Sequence, residues 1–269
     1  MAEPIISVED LTVVYDGRRV LDRVSLEIQA GEVLALLGGS GSGKTTMLRH
    51  IIGLERPTSG TVRIRGVDIN QCSAKELKAI RRTMGVAFQE AALFNSMSIE
   101  ENVALPMREL TTLADPVIEI MTYMKLAAVG LGEDGKRMPR ELSGGMKKRA
   151  AVARATALDP EILVFDEPSA GLDPIVAAGL DELILLLKRA FHMTILVVTH
   201  ELASAFRVAD RVAMLYQGSL IAVESKEAFR ASTHPRIRQF LDRVPDPIAQ
   251  SEAVQTRFRE LAGMRGAQV

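Results

Sequence analysis

The sequence contains a single cysteine and no long uninterrupted apolar run. Because Cys72 has no second cysteine to pair with, an intramolecular disulfide is excluded, and a reducing compartment fits this composition. No apolar run reaches the roughly 18 residues that a membrane-spanning helix needs, and the most apolar region, residues 183–198, contains two basic residues and a histidine. The amino terminus also lacks the basic and apolar segments of a secretory signal. We therefore expect any association with a membrane to depend on a partner protein.

Neither sign of charge is in excess, since the chain has 33 Lys and Arg residues and 34 Asp and Glu residues. A balanced chain has no overall field that would draw it to nucleic acid or to an anionic membrane surface, so we expect no nucleic-acid partner. Apolar residues make up 47% of the 269-residue chain, which is enough for the core of one large domain or two small ones.

Hydrophobic patterning predicts an α/β fold. Apolar and polar residues alternate between residues 5 and 28, as in strands with one buried face, and Asp16 and Gly17 mark a turn. Strands buried on both faces are predicted at residues 32–37, 162–165 and 194–198. Helical spacing predicts a helix at residues 175–190 and a helical insertion at about residues 91–158. Strands that alternate with helices predict a mostly parallel sheet covered on both faces, made mixed by antiparallel strands near the amino terminus.

A glycine-rich segment follows the first buried strand and precedes a predicted helix. It fits the pattern G-x-x-x-x-G-K-[ST] at every fixed position. Its glycines let backbone N–H groups turn inward around a phosphate, Lys44 brings a positive charge to the β- and γ-phosphates, and the Thr45 hydroxyl can bind Mg²⁺. The predicted nucleotide-binding residues here are Gly38, Gly39, Ser40, Gly41, Ser42, Gly43, Lys44, Thr45 and Thr46. The motif indicates a nucleoside triphosphate, but kinases, GTPases, helicases and transport ATPases all share it.

Two carboxylates end the second buried strand. Asp166, at the carboxyl end of the strand, is placed to hold Mg²⁺ through water. Glu167 comes one residue later, and we expect it to act as the general base that orients and deprotonates the attacking water. Pro168 ends the strand at once. The alternative interpretation is a solvated acidic turn that follows a core strand.

A second helix start fronted by glycines lies upstream of the acidic pair. Ser143 is a good N-cap residue, and Gly144 and Gly145 separate it from helix-forming residues. The segment therefore predicts a second anion site at a helix amino terminus. One phosphate-binding segment is enough for one triphosphate, so we expect this second helix end to complete the nucleotide site of another subunit. The alternative is a simple serine-capped helix.

These segments, in this order, resemble the ATPases of ABC transporters over roughly residues 5–225. The resemblance implies that Tyr15 stacks on adenine, that Gln89 contacts Mg²⁺ and senses the transporter, and that His200 contacts the γ-phosphate. It also implies that residues 169–173 cross a dimer interface. Taken alone, Tyr15 could be a packing residue and His200 a structural histidine. The implied assignments are catalysis by Glu167, His200 and Gln89, Mg²⁺ binding by Thr45, Gln89 and Asp166, and nucleotide contacts by Ser143, Gly144 and Gly145.

Further residues of the sequence resemble those of one branch of that family. Met146 replaces a glutamine that many members carry, which points to a subfamily, and Gly39 replaces a proline. Residues 88–106 and 234–241 resemble the ATPases of Mce-type lipid transporters, the Mla phospholipid system among them. The resemblance implies a P-loop NTPase fold with an antiparallel β subdomain and a helical subdomain. It further implies ATP and Mg²⁺ as cofactors and a head-to-tail dimer of two copies.

The same resemblance implies an integral membrane permease that holds the chain at the cytoplasmic face of the inner membrane. A substrate-binding Mce-type protein and a small accessory subunit are further candidate partners. Other functions stay open: the ATPase of an importer for amino acids or other small solutes would carry similar motifs. A DNA-repair ATPase would need long coiled-coil arms between its nucleotide motifs, and no sustained heptads occur here. A regulator without hydrolysis is disfavoured by Glu167 and His200.

We expect residues 1–241 to form the ATPase domain and residues 242–269 to form a tail extension. The tail residues at helical spacing are Val254, Phe258 and Leu261. They predict an apolar stripe that docks on the other copy or on an accessory subunit, or else a self-packed end. The methionines expected to pack inside the helical subdomain are Met107, Met121, Met124 and Met138.

Overall fold

The computed structural model describes residues 3–245, and Val254, Phe258 and Leu261 of the tail prediction lie outside them. The strands are β1 (Ile6–Tyr15), β2 (Arg18–Ile28), β3 (Val33–Leu37), β4 (Ser59–Ile64), β5 (Val67–Asp68), β6 (Met84–Ala87), β7 (Ile162–Asp166), β8 (Thr194–Val198), β9 (Arg211–Tyr216) and β10 (Ser219–Ser225). The helices are α1 (Lys44–Ile51), α2 (Ala74–Arg82), α3 (Ile99–Leu110), α4 (Asp115–Ala128), α5 (Gly144–Ala155), α6 (Pro174–Phe191), α7 (Leu202–Val208), α8 (Lys226–Ala231) and α9 (Pro235–Leu241). The chain divides between Ala231 and Ser232 into two compact units, the first with both sheets and the second with α9.

A six-stranded sheet in the order β10-β9-β3-β8-β7-β6 forms the centre of the first unit. Its strands are parallel except β10, which pairs antiparallel with β9. In β7, Ile162 and Val164 pack into one apolar cluster, and Leu163 and Phe165 pack into another. Side chains of a strand alternate between the two faces of a sheet, so these clusters are its two covered faces. The predicted α/β fold with a mostly parallel sheet is confirmed.

A separate antiparallel sheet in the order β2-β1-β4-β5 lies near the amino terminus of the chain. The hairpin between β1 and β2 turns at Asp16 and Gly17, which have positive φ angles of 47° and 77°. That turn was predicted, and it is confirmed. The inner residues Ile6 and Val8 join the same apolar cluster as Ile162 of the central sheet.

Residues 91–158 contain helices and turns, as their spacing predicts. A capping box begins α3: the Ser98 hydroxyl accepts from the N–H of Glu101, and the Glu101 carboxylate accepts from the N–H of Ser98. Met107 is fully buried here, and Met121 packs against the same apolar cluster. These two packing predictions are confirmed.

The prediction that Met124 packs inside the helical region is wrong, because its side chain is 62% exposed. The buried face of α4 consists of Ile118, Thr122 and Leu126, which lie four residues apart. Met124 falls between them in sequence and therefore on the opposite side of the helix.

Gly85 allows α5 to pack directly on β6. A Cβ at this position would lie 2.1 Å from the carbonyl oxygen of Ala155. We expect Gly85→Ala to lower the free energy of unfolding by roughly 1–3 kcal/mol through overpacking, as measured by chemical denaturation. The matched control is Gly179→Ala in α6, where a Cβ would meet nothing within 4 Å. The control should raise stability by about 0.5–1 kcal/mol. Equal stability of Gly85→Ala and the unchanged chain would contradict this contact.

Candidate functional site

Parallel strand ends bring the predicted catalytic segments to one edge of the central sheet. Leu36 of β3 and Asp166 of β7 both pair with Val198 of β8, and β6 pairs in register with β7. The chain therefore leaves these four strands at nearly the same level. The side chains that follow at this edge are Gln89, Glu167, Thr199 and His200. Ligands of open α/β sheets bind at this carboxyl edge.

The glycine-rich segment turns sharply between β3 and α1. Among the described residues, no side chain caps the amino terminus of α1, so its first N–H groups are open to an anion. Gly43 has a φ of 105°, and a Cβ there would lie 2.6 Å from Leu21 Cδ2. A side chain at position 43 would strain the backbone and push against β2. The turn itself is closed by the N–H of Ser42, which donates to the carbonyl of Gly39 at 3.2 Å.

Lys44 reaches back across this segment. Its Nζ donates to the carbonyl oxygens of Gly38 at 2.8 Å and Gly39 at 3.2 Å, and it lies 4.0 Å from Glu167 Oε1. Burial lowers the pKa of Lys44, and the nearby Glu167 charge opposes that shift. The ammonium group is thus held by neutral partners, which phosphate oxygens could replace with stronger, charge-assisted hydrogen bonds.

The two threonines after Lys44 differ in exposure. Thr45 is exposed, so its hydroxyl is open to a ligand. Thr46 is half-buried, and its carbonyl oxygen accepts a hydrogen bond from Nδ1 of the buried His50 at 2.7 Å. Ser40 and Gly41 are exposed at the tip of the segment.

Asp166 carries a buried oxygen without a partner. Its side chain is 7% exposed, and Oδ1 has no hydrogen-bond partner within residues 3–245. Burial, and then the adjacent Glu167 charge, raise the pKa of Asp166. Ser42 Oγ, in the glycine-rich segment, is also buried and unpartnered in that range. Unsatisfied buried polar atoms are costly unless a ligand completes them, so both atoms fit a site for a charged ligand.

Glu167 and His200 are bonded to each other. Glu167 Oε2 accepts from the Thr199 hydroxyl at 3.1 Å and lies 2.9 Å from His200 Nδ1. Oε1 accepts no hydrogen bond from the described residues. The backbone of Glu167 is left-handed, with a φ of 48°, a conformation that costs a non-glycine residue energy and is often found at functional sites. The two predicted catalytic residues are therefore held together, with one carboxylate oxygen left open.

Two contacts of this cluster were not predicted from the sequence. Thr199 fixes Glu167 Oε2, and Lys148 Nζ donates to the main-chain carbonyl of Glu167 at 2.9 Å. Burial lowers the pKa of Lys148. Thr199 lies between the end of an apolar strand and His200, so its position in the sequence could have identified it as a site residue. Lys148 is one of two adjacent lysines, and nothing in the sequence singles it out.

Gln89 lies on the exposed turn after β6. Because β6 and β7 are paired in parallel, this turn leaves the sheet beside the end of β7. Its strand register therefore places Gln89 at the same edge as Asp166, although no hydrogen bond joins the two side chains within the described residues.

Tyr15 ends β1 on the antiparallel sheet. Its ring is 41% exposed, and its hydroxyl donates to Glu55. Burial and this carboxylate raise the pKa of Tyr15 to about 12. Arg49 of α1 also pairs with Glu55, at 3.2 Å. The tyrosine is thus tied to the helix that begins at Lys44, with part of its ring free.

Ser143, Gly144 and Gly145 begin α5 as predicted, with the Ser143 hydroxyl accepting from the N–H of Met146 at 3.3 Å. Ser143 and Gly144 are exposed. No hydrogen bond or ion pair in residues 3–245 joins these three residues to the segment around Lys44. A Cβ at Gly145 would lie 2.5 Å from Val176 Cγ1, so α5 packs closely on α6. The second helix amino terminus therefore makes no direct bond to the first among the described residues.

Residues 3–245 contain no group of three or more His, Cys, Asp or Glu side chains placed to bind a metal ion. A cation at this edge would then rely on one carboxylate and on phosphate oxygens, which is the usual arrangement for Mg²⁺. None of the helices in the described range has the length and apolar character that a membrane crossing requires.

Asp166→Asn should stabilise the nucleotide-free protein at neutral pH. The pKa of Asp166 is raised in the folded state. The protonated carboxyl group therefore stabilises the fold at pH values below the pKa of the unfolded chain, and this stabilisation is lost as the pH rises through the pKa of the folded state. At pH 7 the folded state carries a buried charge that opposes folding. Thermal unfolding should therefore show a higher midpoint for the variant at pH 7. The difference should shrink below the unfolded pKa of about 3.9. A lower midpoint at pH 7 would contradict the sign.

Comparison with known families supports these observations. A family model described as ABC transporter matches residues 21–170. Among curated relatives, the probable ribonucleotide transport ATP-binding protein mkl of Mycobacterium tuberculosis is 46% identical over 248 residues, covering 92% of this chain and 69% of the relative. The intermembrane phospholipid transport system ATP-binding protein MlaF of Escherichia coli is 40% identical over 242 residues, covering 90% of each chain.

A similar solved structure is the dimeric, post-hydrolysis state of the ATP-binding cassette MJ0796 bound to ADP and Pi. It is 31% identical, with a TM-score of 0.76, and the match covers 82% of this chain and 98% of that one. The shared fold therefore extends over most of this chain.

Proposed function

We propose, because this chain belongs to the ABC transporter family, that it is the ATP-hydrolysing subunit of a transporter for phospholipids or related lipids. The observation that carries the ATPase part is the convergence of Lys44, Asp166 and the bonded Glu167–His200 pair at one sheet edge. The lipid part rests on similarity to MlaF over 90% of both chains.

The chain hydrolyses ATP, and Glu167 is proposed as the general base. Its Oε2 is occupied by Thr199 and His200, which leaves Oε1 to accept a proton from water. Oε1 lies at ion-pair distance, 4.0 Å, from Lys44 Nζ, so a water activated by Oε1 would stand in the same space as the phosphate that Lys44 is proposed to bind. A fixed acceptor of this kind contributes about 10²–10⁴-fold to a rate. His200 would hold the γ-phosphate side of that space, and Tyr15 would stack on adenine.

The residues proposed to hold Mg²⁺ are Thr45, Gln89 and Asp166. The unpartnered buried Oδ1 of Asp166 and the exposed Thr45 hydroxyl fit this role. The ion would supply positive charge to the β- and γ-phosphate oxygens.

Two copies are proposed to join head to tail, so that Ser143, Gly144 and Gly145 of one copy complete the nucleotide site of the other. The support is the exposure of Ser143 and Gly144, together with the dimeric state of MJ0796. Residues 169–173 precede α6 and would lie at the same interface. The test is sedimentation of Glu167→Gln with saturating ATP and Mg²⁺. We expect a dimer that reverts to a monomer when Ser143→Arg blocks the interface. A strictly monomeric trapped form would overturn the head-to-tail arrangement.

The lipid substrate and the partners need a separate test. We propose an integral membrane permease that holds the chain at the cytoplasmic face of the inner membrane, with a substrate-binding Mce-type protein and a small accessory subunit. The complex should be isolated from native membranes through a tag on this chain and reconstituted. Transfer of a fluorescent phospholipid should require ATP and stop in Glu167→Gln. ATP-driven transfer of a ribonucleotide or an amino acid without phospholipid transfer would favour the solute-transporter alternative.

A further inference from the structure

Two consecutive alanines close to Gln89 have left-handed backbones. Ala91 and Ala92 have φ angles of 62° and 48°. A left-handed conformation is unfavourable for an L-residue with a Cβ, because the Cβ comes too close to the following carbonyl oxygen. Neighbouring contacts must therefore hold this pair in place. One of them is local, since the N–H of Ala91 donates to the carbonyl of Phe88 at 2.9 Å.

The stronger contact comes from Arg154. Its Nη1 donates to the carbonyl of Ala92 at 2.7 Å, and its Nη2 donates to the carbonyl of Ala91 at 3.0 Å. The planar guanidinium thus donates one hydrogen bond to each of the two strained peptide units, which a lysine ammonium cannot do in the same geometry. Burial lowers the pKa of Arg154, and no carboxylate of residues 3–245 lies within ion-pair distance of it. A partly buried charge without a counterion is costly, so its hydrogen bonds to these carbonyls are needed.

Arg154 also connects two parts of the site. It lies in the last turn of α5, the helix that begins just after Ser143. The same end of α5 packs on β6 at Gly85, and β6 leads to Gln89. A movement of α5 would therefore reach the segment after Gln89 through Arg154.

The far end of this segment is fixed independently. The buried Asn102 side chain accepts from the N–H of Phe94 at 2.8 Å and donates to the Phe94 and Ser98 carbonyls at 3.1 and 2.9 Å. The chain after Gln89 is thus anchored to α3 at one end and to α5 at the other.

We propose that Arg154 is a positioning residue for Gln89, holding Ala91 and Ala92 in the left-handed pair that sets the course of the main chain carrying Gln89. The inference rests on the proposed ATPase function. Gln89 then depends on Arg154 for its place relative to Asp166.

A double-mutant cycle tests this role. Arg154→Gln, Gln89→Ala and the double variant are compared for kcat, for the KM of ATP and for the Mg²⁺ concentration at half-maximal rate. We expect Arg154→Gln to lower kcat about tenfold and to raise the half-saturating Mg²⁺ several-fold, with the KM of ATP within about twofold. The double variant should match Gln89→Ala alone, because Arg154 acts through Gln89. Additive losses, or an Arg154→Gln variant with the original kcat, would overturn the proposal.

A rescue experiment separates positioning from a general loss of packing. Ala92 is exposed, and glycine adopts a positive φ without the cost of a Cβ. Ala92→Gly added to Arg154→Gln should recover several-fold in kcat, and no recovery would count against the strained pair as the target of Arg154. If Arg154→Gln does not fold, Arg154→Lys takes its place and is held to the same outcomes.

The matched control is Arg189→Gln, which removes an exposed arginine that donates to the carbonyl of Leu185 within α6. It should leave kcat and the Mg²⁺ dependence unchanged. The unchanged chain is measured first: a lack of ATP hydrolysis there would defeat the proposed function, whereas failure of the cycle alone would defeat only the role of Arg154.

Discussion

Glu167→Gln is expected to lower ATP turnover by about 10²-fold or more while ATP still binds. The amide keeps the size of the side chain and can still contact Thr199 and His200, but it cannot take a proton from water. ATP affinity should not fall, because the change removes a negative charge 4.0 Å from Lys44 and leaves the glycine-rich segment intact. Phosphate release measures turnover, and equilibrium binding of a fluorescent ATP analogue measures affinity.

The matched control for this variant is Glu161→Gln. Glu161 precedes the opposite end of β7 and pairs with Arg65 on the surface, at 3.1 Å. Its turnover should equal that of the unchanged chain, since exposed ion pairs contribute little to stability. Near-normal hydrolysis by Glu167→Gln would remove Glu167 from the role of base.

Lys44→Ala should instead weaken ATP binding itself. The ammonium is already desolvated, and burial lowers its pKa, so phosphate oxygens would gain charge-assisted hydrogen bonds from it. Removing such bonds to a charged ligand costs at least about 2 kcal/mol, or roughly 30-fold in affinity. Binding should be measured in the Glu167→Gln background, where hydrolysis does not intervene.

Lys78→Ala, an exposed lysine of α2, is the control for loss of one positive charge. Its ATP affinity should be unaffected. A Lys44→Ala variant that binds ATP as tightly as this control would show that the glycine-rich segment is not the phosphate site. If both profiles are observed, they will exclude a regulator that binds ATP without hydrolysing it, because such a protein has no turnover for Glu167→Gln to lower.

Much of the fold was predictable because its decisive strands are buried on both faces. Such strands are continuously apolar, so β7 and β8 stand out in the sequence and their polar ends mark the sheet edge. β5, at two residues, is too short for any pattern, and it was missed. The exposure of Met124 was missed because α4 is apolar on several sides, so composition could not identify the buried face.

The site was predictable as a set of residues but not as a set of contacts. The glycine-rich motif and the acidic pair predict which side chains meet, since parallel strands end together. The left-handed backbones of Ala91, Ala92 and Glu167 were not predictable, because alanine and glutamate give no sequence signal for a positive φ. Arg154 was missed for the same reason, since its partners are main-chain carbonyls of strained residues.

The close approach of Gly145 to Val176 has a consequence for how ATP is used. No side chain fits between Gly145 and Val176, so α5 and α6 are packed in direct contact at this point. In the proposed head-to-tail pair, a shared movement of α5 and α6 would bring the Ser143 helix end and residues 169–173 to the partner's nucleotide site together, so both sites would close at once. Binding of ATP at one nucleotide site should therefore favour binding at the other. The rate of ATP hydrolysis should rise with ATP concentration along a sigmoidal curve, with a Hill coefficient above unity.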